Sequence, residues 1–203
     1  MNNFNLIAPF YDVVKRLVFG RKLESAERYF TSQIKEGERV LIIGGGHGSV
    51  IEALPVNCSI DYLEFSTDMI RQAKERSKDR NVRFIRGDFL VTELKQRYDW
   101  VIASFFLDVF SEENLVLACE RLFRLLPNHG HVIVTDFAKA TNVHAKLLLW
   151  LMHMFFRIVA KLESKSIQPI RLRMEEAGFV VVRHHKFVGG KVFSAIFRKS
   201  GNL

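Results

Sequence analysis

"RVLIIGGGHGSV" (39–50) decides how the rest of the chain is read. Val40, Leu41, Ile42 and Ile43 form an unbroken apolar run, as in a strand buried on both faces, and they lead into three glycines, a histidine and a fourth glycine. In open α/β sheets, ligands sit beyond the carboxyl ends of the strands, at the crevice where strand order reverses. Glycines there let the chain turn sharply and let a ligand touch bare backbone. The loop is expected to pass into a helix, whose N-terminus offers free N–H groups and a positive dipole end. Gly44, Gly46 and Gly48 give the spacing G-x-G-x-G, whereas Ser49 breaks the nicotinamide spacing G-x-G-x-x-G. Alone, the loop marks only a generic mononucleotide site.

Working outward, strand-like runs alternate with helical patterns. The strands are expected at 39–43, 58–65, 81–85, 98–104 and 131–137, rich in Val and Ile and buried on both faces. Helices are expected at 66–77 and 111–126, with Ser66 and Ser111 as N-caps and Pro127-Asn128 ending the second. This alternation implies a parallel sheet flanked by helices. The end of the chain departs from that rhythm. "GFVVVRHHKF" (178–187) and "KVFSAIFR" (191–198), joined across Gly189-Gly190, read as an antiparallel hairpin with a tight turn.

The chain has 203 residues and a formal charge of +8, from 30 Lys+Arg against 22 Asp+Glu. One domain, 1–203, is the simplest division, with 1–35 as a helical cap and 140–165 as an apolar, lid-like insertion. The charge suggests an anionic partner or simply a basic surface; no aromatic-interleaved nucleic-acid module is visible, so no nucleic-acid partner is expected. Cys58 and Cys119 are distant, without CxxC, so neither a disulfide framework nor a metal site is indicated. The opening residues lack a signal-peptide pattern, and a cytosolic location is the expectation. The segment 144–162 is very apolar, but its uninterrupted core, 147–156, falls short of the ~20 residues a membrane-spanning helix needs.

Two acids extend the glycine loop into a candidate adenosine pocket. Glu64 closes the second strand, where a carboxylate can accept both ribose hydroxyls, and Asp88 follows the third, within reach of an exocyclic amine. Either alone could be a solvated strand-end acid.

With these residues in place, the chain resembles the class I S-adenosylmethionine-dependent methyltransferases. "VLIIGGGHG", "YLEFSTDMI", "VRFIRGDF", "YDWVIASFFLDV", "LFRLLPNHGHVIVTDF" and the terminal hairpin carry the likeness, in that order. "IAPFYD", "ASFFL" and "GFVVVRHHKFVGGKVF" look like the ubiquinone/menaquinone C-methyltransferase branch, a pattern shared with lipid N-methyltransferases. The resemblance implies a Rossmann-like, doubly wound, seven-stranded sheet of order 3-2-1-4-5-7-6 with strand 7 antiparallel. It implies S-adenosylmethionine as cofactor, held by Tyr11, Gly44, Gly45, Gly46, His47, Gly48, Glu64, Phe65, Met69, Asp88, Phe89 and Ser104. The family usually carries Asp or Glu where Ile42 stands, an acid that orients the methionine amine. The quinone enzymes' Arg-Asn pair is replaced by Asp108-Val109.

Methyl transfer from a sulfonium chiefly requires alignment of a nucleophile and exclusion of water; a base is needed where the nucleophile must lose a proton. Asp108, past the fourth strand, is the first catalytic candidate, against a plain role as an acid before the helix that starts near Ser111. His144, which opens the apolar segment, is the second. Asp136 ends the fifth strand and either lines the pocket or only terminates the strand. The segment 144–162 is either a buried helix or a lid over a lipophilic acceptor, with Lys139, Lys146, Arg157, Lys161 and Lys165 available to an anionic membrane surface. The expected activity is methyl transfer to a small, lipophilic acceptor. The alternatives are a non-catalytic protein of this fold, favoured by Ile42, and an aminopropyltransferase-like enzyme.

Overall fold

The computed structural model describes residues 22–138 and 169–200. Tyr11, His144, the segment 144–162 and most of the helical cap therefore lie outside the described residues. Seven strands form one sheet in the order β3-β2-β1-β4-β5-β7-β6: β1 (Arg39–Ile43), β2 (Ser59–Glu64), β3 (Val82–Arg86), β4 (Trp100–Ser104), β5 (His131–Phe137), β6 (Phe179–Phe187) and β7 (Val192–Lys199). The pairs among β1 to β5 are all parallel, and β7 runs antiparallel to both β5 and β6. This is the order expected from the resemblance. The hairpin closes through the four residues 188–191 rather than a two-glycine turn, with Gly189 and Gly190 both at positive φ.

The central strands read as continuous apolar runs because each of their faces is covered. Leu41, Ile43, Val101, Ala103, Val132 and Val134 point into one core, and Val40, Ile42, Ile60, Ile102 and Ile133 into the other. Helix α3 (Glu112–Leu125) covers the first core with Leu115, Ala118, Cys119 and Leu122, at i, i+3, i+4 and i+7. Each such buried leucine contributes roughly 1.5–3 kcal/mol. Burial pushes the Cys119 thiol up to about 12, so this cysteine is an inert core residue. Edge strand β3 differs from expectation: it is only half-buried, and the opposite edge strand, β6, is mostly exposed, because nothing described pairs with or covers their outer sides.

Both expected N-caps form. Ser66 accepts the Met69 N–H at the start of α2 (Thr67–Arg76), and Ser111 accepts the Asn114 N–H at the start of α3. Two shorter helices, α1 (Lys22–Arg28) and α4 (Ile170–Glu176), complete the described helices. The helix expected after the glycine loop is absent. Only a single 3-10 turn, Ile51–Ala53, stands there. Pro55 disfavours helical angles at the residue before it, and Leu54 is extended (φ −85°, ψ 156°). Five residues between Gly48 and Leu54 cannot hold a helix against that stop. The loop therefore offers its own backbone amides but no helix dipole.

Candidate functional site

The glycine loop leaves β1 at the point where the strand order reverses, between β1 and β4. Gly44, Gly46 and Gly48 have φ of +59°, +59° and +85°, so the G-x-G-x-G spacing records alternate left-handed positions that side chains rarely tolerate. Tyr62 on β2 donates its hydroxyl to the Gly46 carbonyl at 2.7 Å. Glu64 braces the loop from the other side: one carboxylate oxygen accepts the Gly46 N–H at 3.1 Å and the other the Ser66 N–H at 2.9 Å. Burial raises the proton affinity of Glu64, and these backbone donors oppose that rise.

Beneath the loop lies a pocket of about 80 Å³. Six of the residues expected to hold a cofactor line it: Gly44, Gly45, Gly46, His47, Met69 and Ser104. The Ser104 hydroxyl oxygen is buried and has no hydrogen-bond partner among the described residues. Gly48, Glu64, Phe65, Asp88 and Phe89 do not line it. Glu64 is half-buried at the rim, and Phe65 (59% exposed) and Asp88 are open to solvent. The Asp88 carboxylate accepts the Leu90 N–H at 2.8 Å and so fixes the turn it opens. Phe89 is buried in the core, edge-on to Phe106, with the Arg121 guanidinium over its ring.

The pocket also has walls outside the expected cofactor set: Glu27 from α1, Ile42, Ser49, Val50 and Phe105. Ile42 is fully buried, so the usual position of an acid is an apolar floor. Glu27 is 6% exposed and accepts the Ser49 hydroxyl at 2.7 Å. A signal for Glu27 exists in the sequence. Leu23, Ala26, Glu27 and Phe30 follow i, i+3, i+4, i+7, so a carboxylate sits on the apolar stripe of the helix. Phe105 has φ +51°, which is costly for a residue with a Cβ and held here by the backbone bond from its N–H to the Thr135 carbonyl.

A second group of acids stands past β4 and β5. Asp108 lies in its own 3-10 turn, Leu107–Val109, and not in the first turn of α3, which Glu112 and Glu113 occupy. Its N–H donates to Asp136 Oδ2 at 3.2 Å, while Phe137 N–H donates to Asp136 Oδ1 at 2.9 Å. Asp136 is completely buried, and burial together with the nearby Asp108 charge lifts its carboxyl well above the usual range. Asp136 therefore does more than terminate β5: it orients the turn that presents Asp108. Among the described residues no cluster of His, Cys, Asp or Glu could hold a metal ion, and no helix is long and apolar enough to cross a membrane.

Comparison with known proteins agrees with this geometry. Residues 40–130, from β1 to the start of β5, match a family model described as a methyltransferase domain. The chain is 22% identical over 180 residues to demethylmenaquinone methyltransferase of Staphylococcus aureus, covering 77% of this chain and 74% of that one. Two solved structures share the fold. The N-methyltransferase NodS of Bradyrhizobium japonicum WM9, in complex with S-adenosyl-L-homocysteine, has a TM-score of 0.70 at 15% identity, over 90% of this chain and 88% of that one. A chain from the complex of the Haloferax volcanii Trm112 methyltransferase activator with a methyltransferase has a TM-score of 0.75 at 15% identity, over 98% of both chains. Residues 40–130 thus match a methyltransferase domain, and the sheet has the fold of these methyltransferase structures.

Proposed function

We propose that the protein binds S-adenosylmethionine in the pocket beneath the glycine loop and transfers its methyl group to a small, lipophilic acceptor, a quinone-like ring or a lipid amine. One observation carries the cofactor assignment. The loop with alternate left-handed glycines, braced by Glu64, opens on a pocket at the point where the strand order reverses between β1 and β4. The fit follows the shape of the site. A volume of about 80 Å³ suits an amino-acid-like end better than a whole nucleoside. The buried, unpartnered Ser104 hydroxyl offers that end a hydrogen bond. A nucleoside then lies along the rim, where Glu64 accepts from the ribose hydroxyls, Phe65 presents an exposed ring to stack on a base, and Asp88 accepts an exocyclic amine. His47 and Met69 close the pocket between these two ends.

When bound, the cofactor supplies an electrophilic methyl group on a sulfonium. The protein's part is to align an acceptor with that methyl group, keep water away, and take a proton where the acceptor must release one. Asp108 is the base for that proton, in a turn fixed by the bond to Asp136. The family resemblance favours Tyr11 at the cofactor, and His144, which opens the apolar segment, is the second candidate at the acceptor. The lipophilic class is supported by the similarity to demethylmenaquinone methyltransferase and by the apolar sequence at 147–156, and contact with an anionic membrane surface by the charge of +8.

Calorimetry with S-adenosylmethionine and S-adenosylhomocysteine tests the cofactor, with binding and a thermal shift expected. No heat and no shift at millimolar ligand removes the enzyme reading and favours the non-catalytic alternative, for which the apolar Ile42 is the specific observation. Labelled methyl transfer to a demethylated quinol, compared with a lipid amine in vesicles, separates the two acceptor classes.

A further inference from the structure

A carboxylate faces the pocket from a place where the fold's usual pattern has none. Ile42 leaves the end of β1 without an acid, yet Glu27 lines the same pocket from α1. Among the described residues that line it, Glu27 is the sole acid. Its position is held on both sides. Within α1, Leu23 and Ala26 pack against Phe137 and Val192. The Thr135 hydroxyl donates to the Ala26 carbonyl at 3.4 Å, and Arg28 pairs with Glu52 at 2.8 Å. The Ser49 hydroxyl, from the glycine loop, then fixes one oxygen of the carboxylate at 2.7 Å. Glu64 is not a rival for this role, because it stands outside the pocket with an oxygen on the Gly46 N–H and another on the Ser66 N–H.

We infer that Glu27 replaces the missing acid at Ile42 and receives the α-ammonium of the methionine end of the cofactor, with Ser49 as the positioning residue. The inference rests on the cofactor reading above. A carboxylate in a water-poor wall favours a cation strongly, since the charge-assisted bond is short and poorly screened. The apolar Ile42 floor then suits the methylenes of the methionine chain and not its amine. The acid has moved from the end of a strand to a helix that packs over it.

Three ligands test this with the intact protein: S-adenosylhomocysteine, its des-amino counterpart, and 5′-methylthioadenosine, which lacks the amino-acid end. Glu27→Gln keeps the shape and can still accept the Ser49 hydroxyl, and thermal unfolding checks that it folds. The expected result is a loss of roughly 10- to 100-fold for S-adenosylhomocysteine in Glu27→Gln, with unchanged 5′-methylthioadenosine binding. The des-amino ligand should bind wild-type protein as weakly as S-adenosylhomocysteine binds the variant, with no further loss in the variant. Equal affinity of wild-type protein for S-adenosylhomocysteine and its des-amino form overturns the inference, whatever the variant does. So does an equal loss for 5′-methylthioadenosine, which makes Glu27 a brace for the loop. Wild-type protein that binds neither adenosine ligand overturns the cofactor reading itself, and this inference with it.

Discussion

The carboxyl ends of β1 and β2 and those of β4 and β5 offer a ligand different kinds of group. On the first side the working surface is backbone, with glycines at φ +59° and +85° and a glutamate that serves their amides. On the second it is side-chain carboxylate, Asp108 presented by a turn that Asp136 orders from complete burial. Backbone can clasp a cofactor through shape and hydrogen bonds without titrating near neutral pH. Carboxylates can exchange protons. The division matches a reaction in which one partner must be held and the other deprotonated, and it makes the two sides separable by experiment.

The largest separation is expected from Asp108→Asn. With an acceptor that must lose a proton, kcat should fall roughly 100- to 10,000-fold, while calorimetric affinity for S-adenosylhomocysteine stays put. An unchanged kcat with a phenol or an enolic ring carbon would remove Asp108 as the base.

The two sides meet along the β1–β4 pairing, and one close contact past it gives the next prediction. Phe106, just past β4, packs so closely on the loop that a Cβ built on Gly44 would lie 2.1 Å from its ring. Gly44→Ala should therefore cost about 2–5 kcal/mol in urea unfolding, from left-handed strain plus overpacking. Gly46 shares the same φ but has nothing within 4 Å of its missing Cβ, so Gly46→Ala should cost only about 1–2 kcal/mol. Equal costs would mean that the Phe106 contact carries no weight.

Glu64→Ala comes next, with a loss of ~2–3 kcal/mol in cofactor affinity, about 30- to 150-fold. The Gly46 amide draws on this carboxylate, and in the function proposed above the ribose hydroxyls do too, so the 2′-deoxy ligand should lose less than the parent but still lose something. Unchanged affinity in a folded variant would put the nucleoside elsewhere than this rim.

How much of this was legible follows the same division. The glycine loop could be read because φ above zero demands glycine whatever surrounds it, and Ser66 and Ser111 because an N-cap bond is made within three residues. The sheet order came from resemblance, not from periodicity, and the apolar run overstated the burial of β3, since a strand's own sequence does not reveal whether its outer neighbour exists. The missing helix after β1 was legible at Pro55, which stands seven residues after Gly48 and so leaves too little chain for a full helix. Glu27 was harder. Its partner Ser49 is 22 residues away, and only the charge on the Leu23, Ala26, Phe30 stripe announced that something polar had to be met inside. Asp136 likewise needed the fold, because its neighbour Asp108 is brought to it by the parallel pairing of β4 and β5.

The smallest effect is a change in the pH dependence of stability that comes from the charge of Asp108 beside Asp136 on the β4–β5 side. Asp136 holds its proton more tightly in the folded protein than a free aspartate does, first because it is buried and second because of Asp108. Between the ordinary value of 3.8 and the raised one, the folded state binds more protons than the unfolded state. Stability from this group is therefore fully present below 3.8 and is lost as pH rises through the folded value. Asp108→Asn removes the second cause, lowers the folded value toward the ordinary one, and shortens the window over which stability is lost. Urea unfolding of the two proteins should give matching stability near pH ~3.5, with the variant gaining on wild type by about 1 kcal/mol as pH rises toward neutral. The sign matters, because a surface carboxylate held by a cation would do the reverse and lose stability on acidification. A constant difference between the proteins across that range would mean that Asp108 and Asp136 do not feel one another's charge, and the β4–β5 side would lose the coupling that distinguishes it from the glycine loop.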